Sequence, residues 1–388
     1  MKGWYNFNML DYPFNFTKIE AIFLERVNRF VVKAKIKNEK IFAYLPNPGR
    51  LWELLLPGKE LLLFKNNKNS KLPYTVLACK NGSHYVLLHT HLTNKIIKKL
   101  ITEGKLGFWK DYSVLKEEVK FNSSRFDFLL ENKYTLEKMV LEVKTCTLFG
   151  KKIAMFPDAE TKRGTKHILQ LIDIQKDGLK SGILFVVMNP KIEYFIPAYH
   201  IDYEFTQALV EAKDKIEIKA IALKWDKTFT YVKDLKELQI PFKFLKKIED
   251  KGTYLLLFKL QNKEKIRVGN LGERVFEKGF YVYVGSGMKN LTKRINRHLR
   301  KNKKLRWHID YLIPKAQNLK TISIRSFERL ECKIAKDLAL ISDYMIINFG
   351  ASDCKCKSHL FYFSKNPLEK KEFQKLIIDY RINRINLD

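Results

Sequence analysis

The sequence predicts a mixed α/β chain of two or three domains that opens with a small β-barrel or sandwich. Three observations carry this expectation. Short strand-forming runs crowd residues 29–89. Strand-like and helix-like runs alternate from residue 94 to 223. A second unit of strands and helices begins after PFKFLKKIEDK at 241–251, a candidate linker. The 388 residues exceed one typical domain, and 46% hydrophobic residues suffice for packed cores, which excludes a wholly disordered chain.

Charge narrows the partners. The formal net charge is +31, from 73 basic and 42 acidic residues, and the larger share lies in the shorter part after residue 245. Such a chain seeks polyanions, nucleic acid first. Scattered lysines are also what a Lys-rich composition produces, so clusters carry more weight. The five cysteines (Cys79, Cys146, Cys332, Cys354, Cys356) are odd in number and sparse, which argues against a disulfide framework. No signal-peptide pattern and no apolar run of membrane-spanning length is visible, so a soluble cytoplasmic protein is expected.

Residues 1–15 show no period. From Arg29 to Lys37 the chain alternates, with Phe30, Val32, Ala34 and Ile36 on one face. Strands are expected at 41–45, 60–64, 74–80 and 84–89, the last two joined by a tight turn at Asn81-Gly82. PNPGR (46–50) is a rigid turn, and Arg50 serves either that turn or a phosphate. A helix is expected over 94–103, ended by Gly104.

SRFDFLLENKYTLEKMVLEVK (124–144) is the chemically informative stretch. With Tyr134 and Thr135 at the hairpin tip, Asp127 falls opposite Glu142, their Cβ atoms roughly 5 Å apart. Lys144 lies two residues beyond Glu142, on the same face. Paired carboxylates repel each other and favour a divalent cation. A lysine beside them serves a phosphate or an attacking water, the chemistry of metal-assisted phosphodiester hydrolysis. Charged residues on the outer face of a strand pair are also ordinary, but the apolar flanks here read as a packed sheet. Beyond it, Pro157 and Asp158 are expected to open a helix that buries Ile168, Leu169, Leu171 and Ile172. Lys162, Arg163, Lys166 and His167 fall in its early turns, where phosphate is attracted. A central strand (182–189), a helix (203–213) and another strand (216–223) complete an α/β pattern.

Four motifs in order, PNPGR, SRFDF (124–128), LEVKTCTL (141–148) and FPDAETKRGTKH (156–167), resemble the sugar fermentation stimulation protein family over residues 15–240. The resemblance implies an OB-like barrel over 1–90 and a nuclease-like domain of the PD-(D/E)xK type over 91–240. Asp127 and Glu142 would be metal ligands and Lys144 the catalytic lysine. It also implies DNA binding, and members are described as DNA-binding regulators of sugar metabolism.

The second unit begins at GTYLLLFKL (252–260), followed by GFYVYVGSG (279–287) and a helix over 290–301 with Leu291, Ile295 and Leu299 as its buried stripe. Eight lysines or arginines and no acid lie between Lys293 and Arg306. GTY, YVG at 283–285, Arg294 with His298, and the glutamate of ERLECKIA (328–335) resemble the GIY-YIG endonuclease superfamily over about 250–363, within a domain expected at 252–365. That resemblance implies Tyr254 as general base or water-positioning group, supported by Tyr283. Arg294 would stabilise the scissile phosphate, His298 would assist proton transfer and Glu331 would hold a magnesium ion. Both tyrosines are equally ordinary as half-buried strand aromatics. Cys354, Cys356 and His359, spaced C-x-C-x2-H, are possible zinc ligands without a clear fourth. Residues 366–388 read as a basic amphipathic helix.

Together these readings lead to a DNA-binding endonuclease dependent on Mg²⁺ or Mn²⁺, with weak sequence preference. Expected phosphate contacts are Arg50, Arg125, Lys162, Arg163, Lys166, Lys293, Arg297, Arg300, Lys303, Lys304 and Arg306. The alternatives are a DNA-binding regulator without catalysis and an RNA-binding or RNA-processing protein.

Overall fold

The computed structural model describes residues 5–6, 17–67, 69–176, 178–226, 228–229, 231–300 and 302–387. Most of the unassigned stretch 1–15 lies outside them. The chain forms two compact units, one of Met1–Lys246 with Asn386–Asp388 and one of Lys247–Ile385.

The first unit opens with a closed five-strand barrel. Its strands run in the order Glu39–Tyr44, Val31–Ile36, Ile19–Asn28, Glu60–Lys65 and Tyr74–Asn81, and Ala43 and Tyr44 pair with Tyr74 and Thr75 to close it. The strand Ile19–Asn28 has no clean sequence signal, because two bulges interrupt its alternation. Phe30, expected to share a strand face with Val32, Ala34 and Ile36, lies in the turn before that strand and is exposed. The hairpin turn falls on Gly82-Ser83 rather than Asn81-Gly82, since Asn81 pairs with His84, and Gly82 takes φ +62°.

A sheet with mixed strand directions follows. Lys138–Cys146, Lys180–Val187 and Glu217–Trp225 run parallel at its centre, with Ser124–Asn132 and Tyr112–Phe121 added antiparallel on one side. The helices His91–Thr102, Lys162–Lys176 and Tyr203–Ala212 supply buried apolar side chains around it. The helix expected from Pro157 begins only at Lys162. Thr161 caps it, its hydroxyl accepting from Gly164 N at 2.9 Å while its own N–H donates to Asp202. Asp158 is drawn instead to the PNPGR turn, where it accepts from Leu51 N at 3.4 Å. Leu169, expected inside, is exposed.

The second unit is built on an antiparallel sheet ordered Gln317–Arg325, Gly252–Leu260, Gly279–Gly287, Leu360–Phe363, Tyr344–Met345. The helix Leu291–Leu299 buries Leu291 and Ile295, but Leu299, at its last turn, is exposed. The tail forms a helix over Lys371–Ile378 that continues into a wider turn to Asn383, burying Phe373, Leu376 and Ile377. Among the described residues no helix is long and apolar enough to cross a membrane.

Candidate functional site

The hairpin 124–146 has the register its turn chemistry demands. Asn132 Oδ1 accepts from Tyr134 N and Thr135 N, each at 3.0 Å, which fixes the tip. Leu141 then pairs with Phe128, the last pair of that ladder, and beyond it the Asp127 carboxylate accepts from Val143 N. Phe126, Phe128 and Leu130 bury the core face, and Asp127 points to the other.

Asp127 accepts from Val143 N and from the Asn94 amide, both at 2.7 Å. Burial, then the charge of Glu142, push its carboxyl up to about 6, against those two donors and Lys144. Glu142 is 3% exposed. Its Oε1 meets the Lys144 ammonium and, at 2.7 Å, His167 Nδ1. Burial raises the Glu142 carboxyl, but the His167 bond and the Lys144 charge outweigh it and hold the group below its ordinary range. The Arg163 guanidinium donates to His167 Nε2 at 3.3 Å, so the ring proton sits on Nδ1, aimed at Glu142. Glu142 Oε2 is buried with no hydrogen-bond partner among the described residues.

An orphaned carboxylate oxygen beside a second, half-buried carboxylate is a donor set suited to a hard divalent cation. Asn94 and His167 complete the arrangement, and sequence reasoning assigned neither a place in it. Asn94 lies on a helix whose approach is a matter of tertiary packing. His167 lies in FPDAETKRGTKH but reads there only as one more basic residue.

In the second unit, Tyr254 and Gly285 are cross-strand partners. A Cβ at Gly285 would lie 2.3 Å from the Tyr254 hydroxyl, so the glycine of YVG makes room for that ring. The hydroxyl meets His298 Nε2 at 2.7 Å. On the other side of the imidazole, His298 Nδ1 faces Asp310 Oδ1 at 3.4 Å. Burial, then Tyr283, push the Tyr254 phenol well above its ordinary value, and burial lowers His298 despite Asp310. Tyr254 therefore keeps its proton at neutral pH, and both shifts oppose its transfer to His298. Tyr283 is buried beside this pair, its ring 6.5 Å from each. Arg294 lies over the Trp307 ring at 4.4 Å. Glu331 opens a helix, and one of its oxygens lies 3.1 Å from His359 Nδ1.

Asp310 carries no distinguishing signal within WHIDYL, and it overturns two expected phosphate contacts. It is fully buried, and Arg297 grips it with two nitrogens at 3.1 and 3.0 Å while Lys303 stands 3.4 Å away. Arg297 also stacks on Trp307, and the Lys303 side chain is only 5% exposed. A buried carboxylate must be compensated, and these two cations do that instead of facing solvent.

The remaining basic residues are disposed differently. Lys162, Arg163 and Lys166 are exposed in the first turns of their helix, and Lys293, Arg300, Lys304 and Arg306 are exposed in the second unit. Arg125 is exposed but paired with Glu118 at 3.0 Å. Arg50 lies over Trp52, in a loop held by Arg26, which donates to the carbonyls of Asn47, Gly49 and Arg50.

Comparison with known proteins gives three matching family models. Residues 24–88 match the SfsA N-terminal OB domain, residues 91–229 the sugar fermentation stimulation protein RE domain, and residues 253–381 a domain of unknown function, DUF123. A sugar fermentation stimulation protein homolog of Clostridium tetani is 36% identical over 222 residues, 57% of this chain and 95% of that protein. One from Clostridium botulinum is 40% identical over 199 residues, 51% of this chain and 86% of that one. The solved structure of Pyrococcus furiosus SfsA in complex with Ca²⁺ is 27% identical with a TM-score of 0.54, covering 62% of this chain and 99% of that chain.

Proposed function

Starting from the fact that this chain belongs to the sugar fermentation stimulation protein family, we propose that it is a DNA-binding endonuclease dependent on Mg²⁺ or Mn²⁺. The observation that carries this reading is the buried, partnerless Glu142 Oε2 beside Asp127 and Lys144. Asp127 and Glu142 would hold the ion, which would polarise the phosphate and activate a water. The Pyrococcus furiosus relative, described in complex with Ca²⁺, supports a divalent ion as the partner.

The chain's own groups have separate tasks. Asn94 and Val143 N fix the Asp127 carboxylate, and His167 fixes that of Glu142. The Lys144 ammonium, at the edge of Glu142, offers positive charge to a phosphate oxygen or orients the attacking water. Lys162, Arg163 and Lys166, at a helix start, would receive the backbone of the nucleic acid. In the second unit, Tyr254, held by His298, would position a water and Arg294 would meet phosphate, as a GIY-YIG-like centre requires.

Supercoiled plasmid incubated with Mn²⁺ tests the proposal. Wild type should nick it, Asp127→Ala/Glu142→Ala should remove the first unit's share, and Arg294→Ala should remove the second's. Binding should weaken steeply as salt rises. A wild type that binds DNA yet nicks no form of it would leave the chain a non-catalytic DNA-binding regulator.

A further inference from the structure

We propose that Cys332, Cys354, Cys356 and His359 form a structural zinc site in the second unit. Their ligand atoms all lie within 4.8 Å of one another, drawn from two separate stretches of chain. A tetrahedral zinc with three sulfurs and one nitrogen needs donor separations of roughly 3.5–3.8 Å, given Zn–S of about 2.3 Å and Zn–N of about 2.0 Å. The four donors thus stand within about an ångström of a closed tetrahedron. The missing fourth ligand of the C-x-C-x2-H spacing is Cys332, which the first turn of the helix Glu331–Ile341 brings in from outside the motif.

The histidine is already aimed. His359 is 1% exposed, with Nε2 3.4 Å from Cys354 Sγ and Nδ1 3.1 Å from Glu331 Oε1. A carboxylate on the far nitrogen of a metal-bound imidazole sets its tautomer and orientation. The backbone holds the ring in place, since His359 N donates to Phe349 O at 2.8 Å and His359 O accepts from Val284 N at 2.9 Å. None of the three cysteines is in a disulfide. Three thiols leave one unmatched in any disulfide scheme, whereas three thiolates and one imidazole complete a Cys₃His set. Lys333, Lys355 and Lys357, exposed between and beside the ligands, offset the net negative charge of such a centre. The metal would clamp the start of this helix to the 350–359 segment. Glu331 would then act as a positioning residue for His359 rather than as a magnesium ligand.

The test is independent of cleavage, because zinc is counted without DNA. Full-length protein purified without chelators should contain one zinc per chain by mass spectrometry. After reduction and exchange, cobalt should give tetrahedral d–d bands and a thiolate charge-transfer band. Cys354→Ser/Cys356→Ser should lose both signals, and Asp127→Asn should keep both. Glu331→Gln should weaken cobalt binding about 10–100-fold while the spectrum stays tetrahedral. Wild type with no zinc and no tetrahedral cobalt spectrum overturns the site without reliance on any variant. Retention of both signals by the double cysteine variant overturns it equally.

Discussion

Replacing Asp310 with alanine removes the anion that the neighbouring cations share. Its Oδ2 accepts from Arg297, from Arg306 N at 3.0 Å and from Trp307 N at 3.2 Å, and its Oδ1 accepts from the other Arg297 nitrogen. Hydrogen bonds to a charged group contribute about 1.5–3 kcal/mol each. Arg297 is 21% exposed at its side chain and can turn partly to water after the change. Lys303, 5% exposed, cannot, and among the described residues keeps the carbonyl of His298 as acceptor. The cost should therefore match that of breaking a buried ion pair, about 3–5 kcal/mol. For a unit of this size that lowers the melting temperature by about 10–20 °C. Urea denaturation and calorimetry of the full chain measure it. Adding Arg297→Met and Lys303→Met to Asp310→Ala should recover part of the loss, since an apolar set need not be neutralised. The native carboxyl is held well below its ordinary range: burial raises it, but the neighbouring His298, Arg297 and the two backbone N–H groups prevail. Its stabilisation is therefore present above about pH 4 and lost as the pH falls below that. A loss under about 1 kcal/mol for Asp310→Ala would refute the account of Arg297 and Lys303 as its counterions.

Four further outcomes are expected. Divalent-ion affinity, read by calorimetric titration with Mn²⁺ or Ca²⁺, should fall as the pH drops through about 6, because protons compete for Asp127 there; Asp127→Asn should bind weakly at every pH. In the metal-free protein the same elevated carboxyl adds stability that is complete below about pH 4 and disappears as the pH rises through about 6. Gly285→Ala should destabilise the chain by about 1–3 kcal/mol in thermal melts, because its Cβ would meet the Tyr254 hydroxyl at 2.3 Å. Arg300→Gln/Arg306→Gln should reduce the slope of log affinity against log salt by roughly 1–2 in DNA-binding titrations, whereas Arg297→Gln should lower stability instead.

The sequence alone determined whatever depends on neighbours along the chain. The hairpin 124–146 was legible because Asn132 and the tip residues set a turn, and the turn sets which residue faces which. Period-two runs marked most barrel strands, and bulges hid the strand Ile19–Asn28. Four short motifs carried the family. Only tertiary structure decided the rest, because desolvation and distance are not properties of a linear pattern. It brought Asn94 to Asp127 and His167 to Glu142, turned Arg297 and Lys303 inward onto Asp310, and delivered Cys332 to a cysteine pair it does not adjoin in sequence. A charge reads the same in the sequence whether water or a buried carboxylate surrounds it, and packing chooses between them.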